Sequence, residues 1–226
     1  LHWLKTFSAE LQLILQRYDI ALIGGDLSKG PLTANVHILG LSTNPQHMCR
    51  HMAQEGDDIY VSGTLGRAAA GLACRQSLPP RVSFSTATSK KLTAALFRPE
   101  PRISLGQALA PLAHAAIDLS DGLLKDLNTL LQASKAGATV NLENIPIDPC
   151  LANIPENIRQ QWGLTGGDDY ELLFTAARST AKDIQAISNK LQCPLTRIGT
   201  INTSQKLDIP GLNMADFTKQ GHEHFS

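Results

Sequence analysis

Residues 115–127 read AAIDLSDGLLKDL, which combines a short apolar run, a polar turn and the start of a helical pattern. We expect a buried strand over 115–119, followed by a helix whose apolar residues recur at helical spacing. Those apolar residues are Leu123, Leu124, Leu127, Leu130 and Leu131. Asp118 then ends the strand and Asp121 begins the helix, with Ser120 between them. Open α/β sheets place their ligands at the carboxyl ends of strands, so this joint is a candidate site.

The chemistry of the joint favours a metal ion and a phosphate. Two carboxylates this close repel each other, whereas Mg²⁺, which prefers oxygen ligands, would keep both ionised. The free N–H groups at the start of the helix suit a phosphate. A simpler interpretation makes Ser120 or Asp121 the helix N-cap and leaves Asp118 as a surface carboxylate. The pattern taken alone is compatible with both interpretations.

Composition narrows the class of protein. A chain of 226 residues is long enough to bury a core, and its 20 basic residues balance 20 acidic ones, so no strong field recruits nucleic acid or an anionic membrane. The four cysteines are far apart and form no CxxC pair, which argues against a zinc site or a disulfide framework and for the cytoplasm. No apolar run approaches the length of a membrane span. Because the first residue is Leu1 rather than Met, we expect a chain trimmed at its N-terminus.

Two other segments combine glycine with carboxylates. Residues 24–31 read GGDLSKGP, in which Asp26 offers a metal ligand while Ser28 and Lys29 offer contacts to phosphate. Ordinary turn residues would explain that pattern equally well. Residues 164–174 read LTGGDDYELLF and bring three carboxylates to the entrance of an apolar strand. Acids there are costly unless they are paired or bind a ligand, which favours a functional role over a solvated strand entrance.

Helical and strand patterns alternate along the rest of the chain, which indicates an α/β or α+β class. Helices are predicted over 3–17, 67–76, 86–97, 103–114 and 179–191, and strands over 32–41, 58–62, 138–142 and 195–201, with a further strand that ends near Ala176.

Three motifs in this order resemble the thiamine-monophosphate kinase family, part of the aminoimidazole ribonucleotide synthetase-like superfamily. They are GGD at 24–26, AIDLSDG at 116–122 and GGDDYE at 166–171. The segments GTLG at 63–66 and GHEHF at 221–225 also fall where the family has similar segments. The resemblance covers essentially the whole chain. It implies ATP-dependent phosphorylation of thiamine monophosphate to thiamine diphosphate with several Mg²⁺ ions, in a cytoplasmic homodimer.

The resemblance also implies roles for individual residues. Four would bind ATP: Gly25, Asp26, Arg50 and Ser120. Three carboxylates would hold Mg²⁺: Asp26, Asp118 and Asp121. Two would contact thiamine monophosphate, namely Asp168, where the family usually has Glu, and His222, where an aromatic residue is common.

Members of this family begin with a further half-domain that carries a Gly-Asp-Asp metal site, and no such segment precedes Leu1. We therefore expect residues 1–41 to be the C-terminal part of an N-terminal α/β domain, 42–55 a linker and 56–226 a complete C-terminal α/β domain. This chain alone is expected to be inactive or nearly so, because phosphoryl transfer depends on positioning and charge neutralisation. The alternatives are a sister ATP-dependent synthetase with another acceptor, and a non-catalytic nucleotide-binding module.

Overall fold

A computed structural model describes residues 2–41, 48–76, 82–213 and 217 of the chain. It divides into two compact units, Leu1–Leu41 and Ser42–Ser226. The domain and linker limits that the resemblance implies stay a prediction.

The first unit contains the predicted amphipathic helix, α1 (His2–Arg17), in which the rings of Trp3 and Phe7 stack with their centroids 5.2 Å apart. The strand predicted over 32–41 is wrong, because this segment forms no ladder with any described residue. A strand needs a neighbour for its backbone N–H and C=O groups. Without one, the apolar side chains of this segment stay exposed, from Leu32 to Leu41.

The second unit is built on a six-stranded sheet with the order β2-β4-β1-β5-β3-β6. Its strands are β1 (Asp58–Ser62), β2 (Ala113–Leu119), β3 (Gly137–Val140), β4 (Glu171–Ala176), β5 (Leu195–Asn202) and β6 (Leu207–Asp208). Neighbouring strands are antiparallel except for the β3–β6 pair. The sheet and its helices confirm the α/β class. The carboxyl end of β2 lies beside the amino end of β4, because these two strands are antiparallel.

Six helices accompany the sheet in the described part of the second unit. They are α2 (Arg67–Gln76), α3 (Thr86–Phe97), α4 (Ile103–Leu109), α5 (Leu123–Ser134), α6 (Glu156–Thr165) and α7 (Ala181–Leu191). The limits predicted for α2 and α3 are confirmed. The helix predicted over 103–114 ends earlier, because the chain enters β2 at Ala113 to pair with β4. None of the described helices combines the length and the apolar character that crossing a bilayer requires.

Successive side chains of β1 point to opposite faces of the sheet and belong to different hydrophobic clusters. Ile59 and Val61 face one side, where they join the buried leucines of α5, including Leu127. Tyr60 faces the other side and stacks on Phe174 of β4 with ring centroids 5.2 Å apart, in a cluster that α4 and α7 complete. A third cluster joins α2, α3 and α6. The strand–turn–helix over 115–127 is therefore fixed on the sheet by buried leucines.

Candidate active site

Two segments that are distant in the sequence meet where β2 ends and β4 begins. Leu119 of β2 is paired with Glu171 of β4 in the antiparallel register. Beyond that pair, the Asp168 N–H donates to the Ser120 carbonyl at 2.9 Å and the Tyr170 N–H donates to the Leu119 carbonyl at 2.9 Å. The two acidic motifs of the sequence, LSDG and GGDDYE, therefore form one site.

The LSDG segment packs so closely against the GGDDYE segment and the end of α6 that two positions, Gly122 and Gly167, have no room for a side chain. A Cβ on Gly167 would lie 2.5 Å from the Ser120 carbonyl oxygen, and one on Gly122 would lie 2.8 Å from a backbone carbon at the end of α6. Gly122 also has φ +106°, while Asp168 and Tyr170 adopt the left-handed region with φ +67° and +49°. Non-glycine residues rarely adopt this region, so the surrounding hydrogen bonds must hold both residues there.

The first acidic motif exposes its carboxylates. Asp118 is exposed at the end of β2, and the Asp121 side chain is about one third exposed, with Lys125 Nζ 2.8 Å from its Oδ2. The N-cap of α5 is Gly122, so the interpretation of Ser120 or Asp121 as the helix cap is wrong. Gly122 takes the cap position because the turn approaches α6 too closely for a side chain.

A concentration of negative charge surrounds this joint. Asp126, buried in the first turn of α5, accepts a hydrogen bond of 2.9 Å from the Asp121 N–H. Burial raises the pKa of Asp126 to about 6, and the charges of Asp121 and Asp118 contribute to the rise. The pKa of Tyr170 is raised by burial and then by Asp168, Asp118 and Asp121. Carboxylates from both motifs thus contribute to raising the pKa of the same tyrosine.

Asp118 and Asp121 suit a hard divalent cation, because carboxylate oxygens are the ligands that Mg²⁺ prefers. Among the described residues, however, no group of three or more His, Cys, Asp and Glu is placed to hold a metal ion. Two carboxylates alone leave an octahedral cation to complete its shell with phosphate and water, which is the usual arrangement for Mg²⁺ bound with a nucleotide. The donor chemistry of this site therefore fits Mg²⁺ together with phosphates.

The other residues assigned by resemblance lie elsewhere. Gly25 and Asp26 are exposed in the first unit, and His222 lies outside the described residues. The Arg50 carbonyl accepts a 2.9 Å hydrogen bond from Ser134 Oγ at the last residue of α5. The 12 residues of this helix separate that position from the site by about 18 Å. The backbone of Arg50 is therefore remote from Ser120.

Glu171 has a structural partner rather than an open coordination position. Its carboxylate is buried and accepts two hydrogen bonds from Arg102, at 2.7 and 2.5 Å, and one of 2.5 Å from Ser62 Oγ. The same Ser62 Oγ accepts a hydrogen bond of 2.8 Å from the Leu172 N–H. A Cβ on Gly63 would overlap the Glu171 carboxylate, which explains the glycine there. This network ties the start of β4 to the end of β1.

Asp169 is also engaged by the protein. Its two carboxylate oxygens accept hydrogen bonds from the Gly66 N–H at 2.7 Å and the Ala68 N–H at 3.0 Å, at the start of α2. Burial raises its pKa to about 6 against these hydrogen bonds, which lower it. The cost of acids at this strand entrance is thus met by pairing for Asp169 and Glu171. Asp168 is the exposed carboxylate of the three, and for it the functional interpretation stays a prediction.

A cavity of about 640 Å³, which the sequence did not predict, opens beside Asp168 and Tyr170. Its other lining residues come from α2, α3 and the connector after α3, and they are Leu72, Arg75, Gln76, Leu96, Phe97 and Pro99. The Arg75 guanidinium lies over the Phe97 ring, 5.7 Å from its centroid. The two helices pack closely at Gly71, where a Cβ would overlap the Leu92 carbonyl. The close packing of α2 and α3 therefore holds the residues that line the cavity.

Comparison with known proteins gives consistent results. The family described as AIR synthase related protein, C-terminal domain, matches residues 54–210. The thiamine-monophosphate kinase of Haemophilus influenzae is 42% identical over 202 residues, which cover 89% of this chain and 61% of that protein. The thiamine-monophosphate kinase of Buchnera aphidicola subsp. Schizaphis graminum is 39% identical over 232 residues, covering 99% of this chain and 69% of that protein. The chain thus spans roughly two thirds of the length of these relatives.

Solved structures agree with the sequence matches. The crystal structure of thiamine-monophosphate kinase from Stenotrophomonas maltophilia superposes with a TM-score of 0.81 at 37% identity, over 93% of this chain and 67% of that one. The structure of AaThiL complexed with AMPPCP and TMP superposes with a TM-score of 0.65 at 27% identity, over 79% of this chain and 54% of that one. The resemblance seen in the three motifs is thereby confirmed, and the chain belongs to the thiamine-monophosphate kinase family of AIR synthase related proteins.

Proposed function

We propose that the protein represented by this chain phosphorylates thiamine monophosphate with ATP to give thiamine diphosphate and ADP. The observation that carries this proposal is the joining of the Asp118–Asp121 turn to the Asp168–Tyr170 segment by backbone hydrogen bonds. Asp118 and Asp121 thus lie beside an exposed carboxylate, that of Asp168, and a cavity large enough for a small acceptor, which supports the proposal. The names of the relatives, and the AMPPCP and TMP bound to AaThiL, support ATP as donor and thiamine monophosphate as acceptor.

The transfer is a direct displacement. An oxygen of the acceptor phosphate forms a bond to the γ-phosphorus of ATP, while the bond from that phosphorus to the β-phosphate oxygen breaks and ADP leaves. The attacking oxygen is already ionised, so the site needs no general base. Positioning and neutralisation of charge account for most of the catalysis in phosphoryl transfer. This requirement agrees with a site made of carboxylates and backbone groups.

In this proposal the residues act as follows. Asp118 and Asp121 would hold Mg²⁺, with Asp26 as the further ligand that the resemblance implies, and the ion would neutralise the charge of the phosphates. ATP is bound by Gly25, Asp26, Arg50 and Ser120. The acceptor is contacted by Asp168 and His222. Asp168, where the family usually has Glu, lies at the edge of the cavity with a left-handed backbone.

The proposal extends to the state of the protein. We expect this chain alone to turn over slowly or not at all, because it spans roughly two thirds of the length of its relatives and phosphoryl transfer depends on complete positioning and charge neutralisation. A homodimer is supported by the exposed apolar side chains of the first unit, such as Ile38 and Leu39. A cytoplasmic location is supported by the four cysteines, all of them described and free.

Titration calorimetry with AMPPCP and Mg²⁺ tests the site. The variants Asp118→Asn and Asp121→Asn should each weaken binding at least about tenfold, since each removes a charged metal ligand. Asp183→Asn, an exposed acid on α7, is the matched control and should bind as the parent chain does. Unchanged affinity in both site variants would refute the assignment. Nucleotide binding without transfer to thiamine monophosphate, in a protein that covers the full length of the relatives, would favour a non-catalytic module instead.

A further inference from the structure

We propose that Ser134, the last residue of α5, is a positioning residue that holds the turn carrying Arg50 and thereby supports nucleotide binding. The inference rests on the proposed function, in which Arg50 contacts ATP, and deepens it. It names a residue remote from the acidic joint on which the affinity for the nucleotide depends.

The Ser134 hydroxyl bridges two backbone groups of one turn. Its Oγ donates a hydrogen bond of 2.9 Å to the Arg50 carbonyl and accepts one of 3.2 Å from the Ala53 N–H. A hydroxyl has one donor and two acceptor positions, so one side chain makes both bonds at once. The two partners lie 84 and 81 residues from Ser134 in the sequence, so these bonds are tertiary contacts.

The two ends of the segment that contains this turn are held by other contacts. At one end, Cys49 forms an isolated bridge with β2. At the other end, the buried carboxylate of Asp57 accepts a hydrogen bond of 3.0 Å from the Gln54 N–H and lies 2.9 Å from His114 Nδ1. Loss of the α5 hydroxyl should therefore leave both ends in place and release the turn between them.

The turn exposes its side chains, so its conformation depends on backbone hydrogen bonds. Residues 50–52 are exposed, and Ala53 is partly buried against the cluster that β1 and α5 share. Exposed segments with few buried contacts open at a low cost in free energy. Without the hydroxyl, the Arg50 carbonyl and the Ala53 N–H bond to water instead, and the turn gains further conformations.

The turn is attached to the same two elements that flank Asp121. Cys49 lies opposite Ala115, three residues before Asp118 on β2, which is about 10 Å along the strand. Ser134 ends the helix that begins beyond Asp121. The strand and the helix that place the acidic joint therefore also place the Arg50 turn. The apparent affinity for a ligand falls with the fraction of molecules in the binding-competent conformation, so a released turn should weaken nucleotide binding.

Calorimetric titration of the whole chain with AMPPCP and Mg²⁺ tests the inference. Ser134→Ala should weaken binding about three- to tenfold, because it removes both hydrogen bonds to the turn. Ser134→Thr keeps the hydroxyl and should bind within about twofold of the parent chain. The matched control is Thr129→Ala on the same helix, whose hydroxyl donates to the Lys125 carbonyl at 2.9 Å instead of to the turn. That control should leave the affinity unchanged.

A double-mutant cycle separates positioning from a general structural effect. Arg50→Met removes the guanidinium that the turn carries. In that background Ser134→Ala should cause no further loss of AMPPCP affinity, because no guanidinium remains to be positioned. An equal loss in both backgrounds would show that the hydroxyl acts on the site by another route and would refute the inference.

Amide hydrogen exchange without nucleotide tests the first step separately. Ser134→Ala should speed the exchange of the Ala53 N–H at least about threefold, while the amides of α5 before the last turn keep their rates. An unchanged rate at Ala53 would show that the hydroxyl does not hold the turn.

The inference and the proposed function fail in different ways. If Asp118→Asn and Asp121→Asn weaken AMPPCP binding but Ser134→Ala does not, the positioning role is refuted and the nucleotide site stands. If Ser134→Ala acts through Arg50, but a protein with the full length of the relatives transfers no phosphate to thiamine monophosphate, the positioning role stands and the kinase assignment is refuted. Failure of the parent chain to bind AMPPCP refutes both proposals for this chain.

Discussion

Replacing Arg102 by methionine measures how strongly the buried carboxylate of Glu171 depends on its partner. The Glu171 side chain is only 8% exposed, whereas that of Arg102 is 27% exposed. In Arg102→Met the carboxylate keeps one donor, Ser62 Oγ at 2.5 Å, and loses the two guanidinium hydrogen bonds. Removing one partner of a buried ion pair costs about 3 to 5 kcal/mol, because the remaining charge is buried without compensation.

The reverse substitution should cost less. In Glu171→Gln the partly exposed guanidinium turns to water, and the new amide still accepts a hydrogen bond from Ser62, so we expect a loss of about 1 to 2 kcal/mol. In the double variant no buried charge remains, and its loss should be smaller than the sum of the two single losses by about 1 to 3 kcal/mol. The asymmetry follows from the different exposure of the two side chains.

Urea unfolding at neutral pH, followed by circular dichroism, gives the free energies. The matched control is Arg178→Met, because Arg178 is 70% exposed and lies 3.5 Å from Asp58, which keeps Arg197 at 2.7 Å. That control should change stability by less than about 1 kcal/mol. A loss below about 1.5 kcal/mol in Arg102→Met, or strict additivity in the double variant, would refute the reasoning.

Three further predictions concern the site. Because burial raises the folded-state pKa of Asp169 from 3.8 to about 6, its contribution of up to about 3 kcal/mol is complete below pH 3.8 and is lost as the pH rises through 6. Asp169→Asn should remove that decline from stability curves measured over this range, and an identical slope would contradict it. Gly167→Ala, whose Cβ would lie 2.5 Å from the Ser120 carbonyl, should destabilise the chain by about 1 to 3 kcal/mol in urea unfolding; a neutral effect would show that the loop yields. Asp126→Leu removes the acceptor for the Asp121 N–H and should weaken Mg²⁺–AMPPCP binding in calorimetry by about tenfold. Unchanged affinity would show that the turn keeps its conformation without this hydrogen bond.

The central joint was predictable because its signals are local. Apolar residues over 115–119 and leucines at helical spacing indicate a strand and a helix whatever the surrounding tertiary structure is. The start of α3 was predictable for a similar reason, since Ser85 caps it by accepting a hydrogen bond from the Thr88 N–H at 3.1 Å. Helix α6 was missed, because the prolines before it dominate the pattern. The large apolar side chains of Trp162 and Leu164, which the structure buries, were the available signal for a packed helix there.

The segment 32–41 shows where prediction from local sequence fails. Its apolar content is typical of a strand, but pairing depends on a neighbour that no residue of the segment encodes. Which of the three acids at 168–171 are hydrogen-bonded within the protein and which one is exposed could not be predicted either. It depends on the start of α2, which engages Asp169, and on Arg102, 69 residues from Glu171. The cavity likewise follows from the packing of two helices, which local patterns do not contain.

The position of β1 has a consequence for the order in which the molecule assembles during translation. Asp58 is paired with Ala176 on one side and with Thr200 on the other, so the central strand leaves the ribosome before either neighbour exists. At about 5 to 20 residues per second, β1 waits on the order of ten seconds or more for β5. During that time its buried run, DIYVS, has no ladder partner among its final neighbours. Nascent chains of this protein should therefore bind chaperones at β1 until β5 has been synthesised.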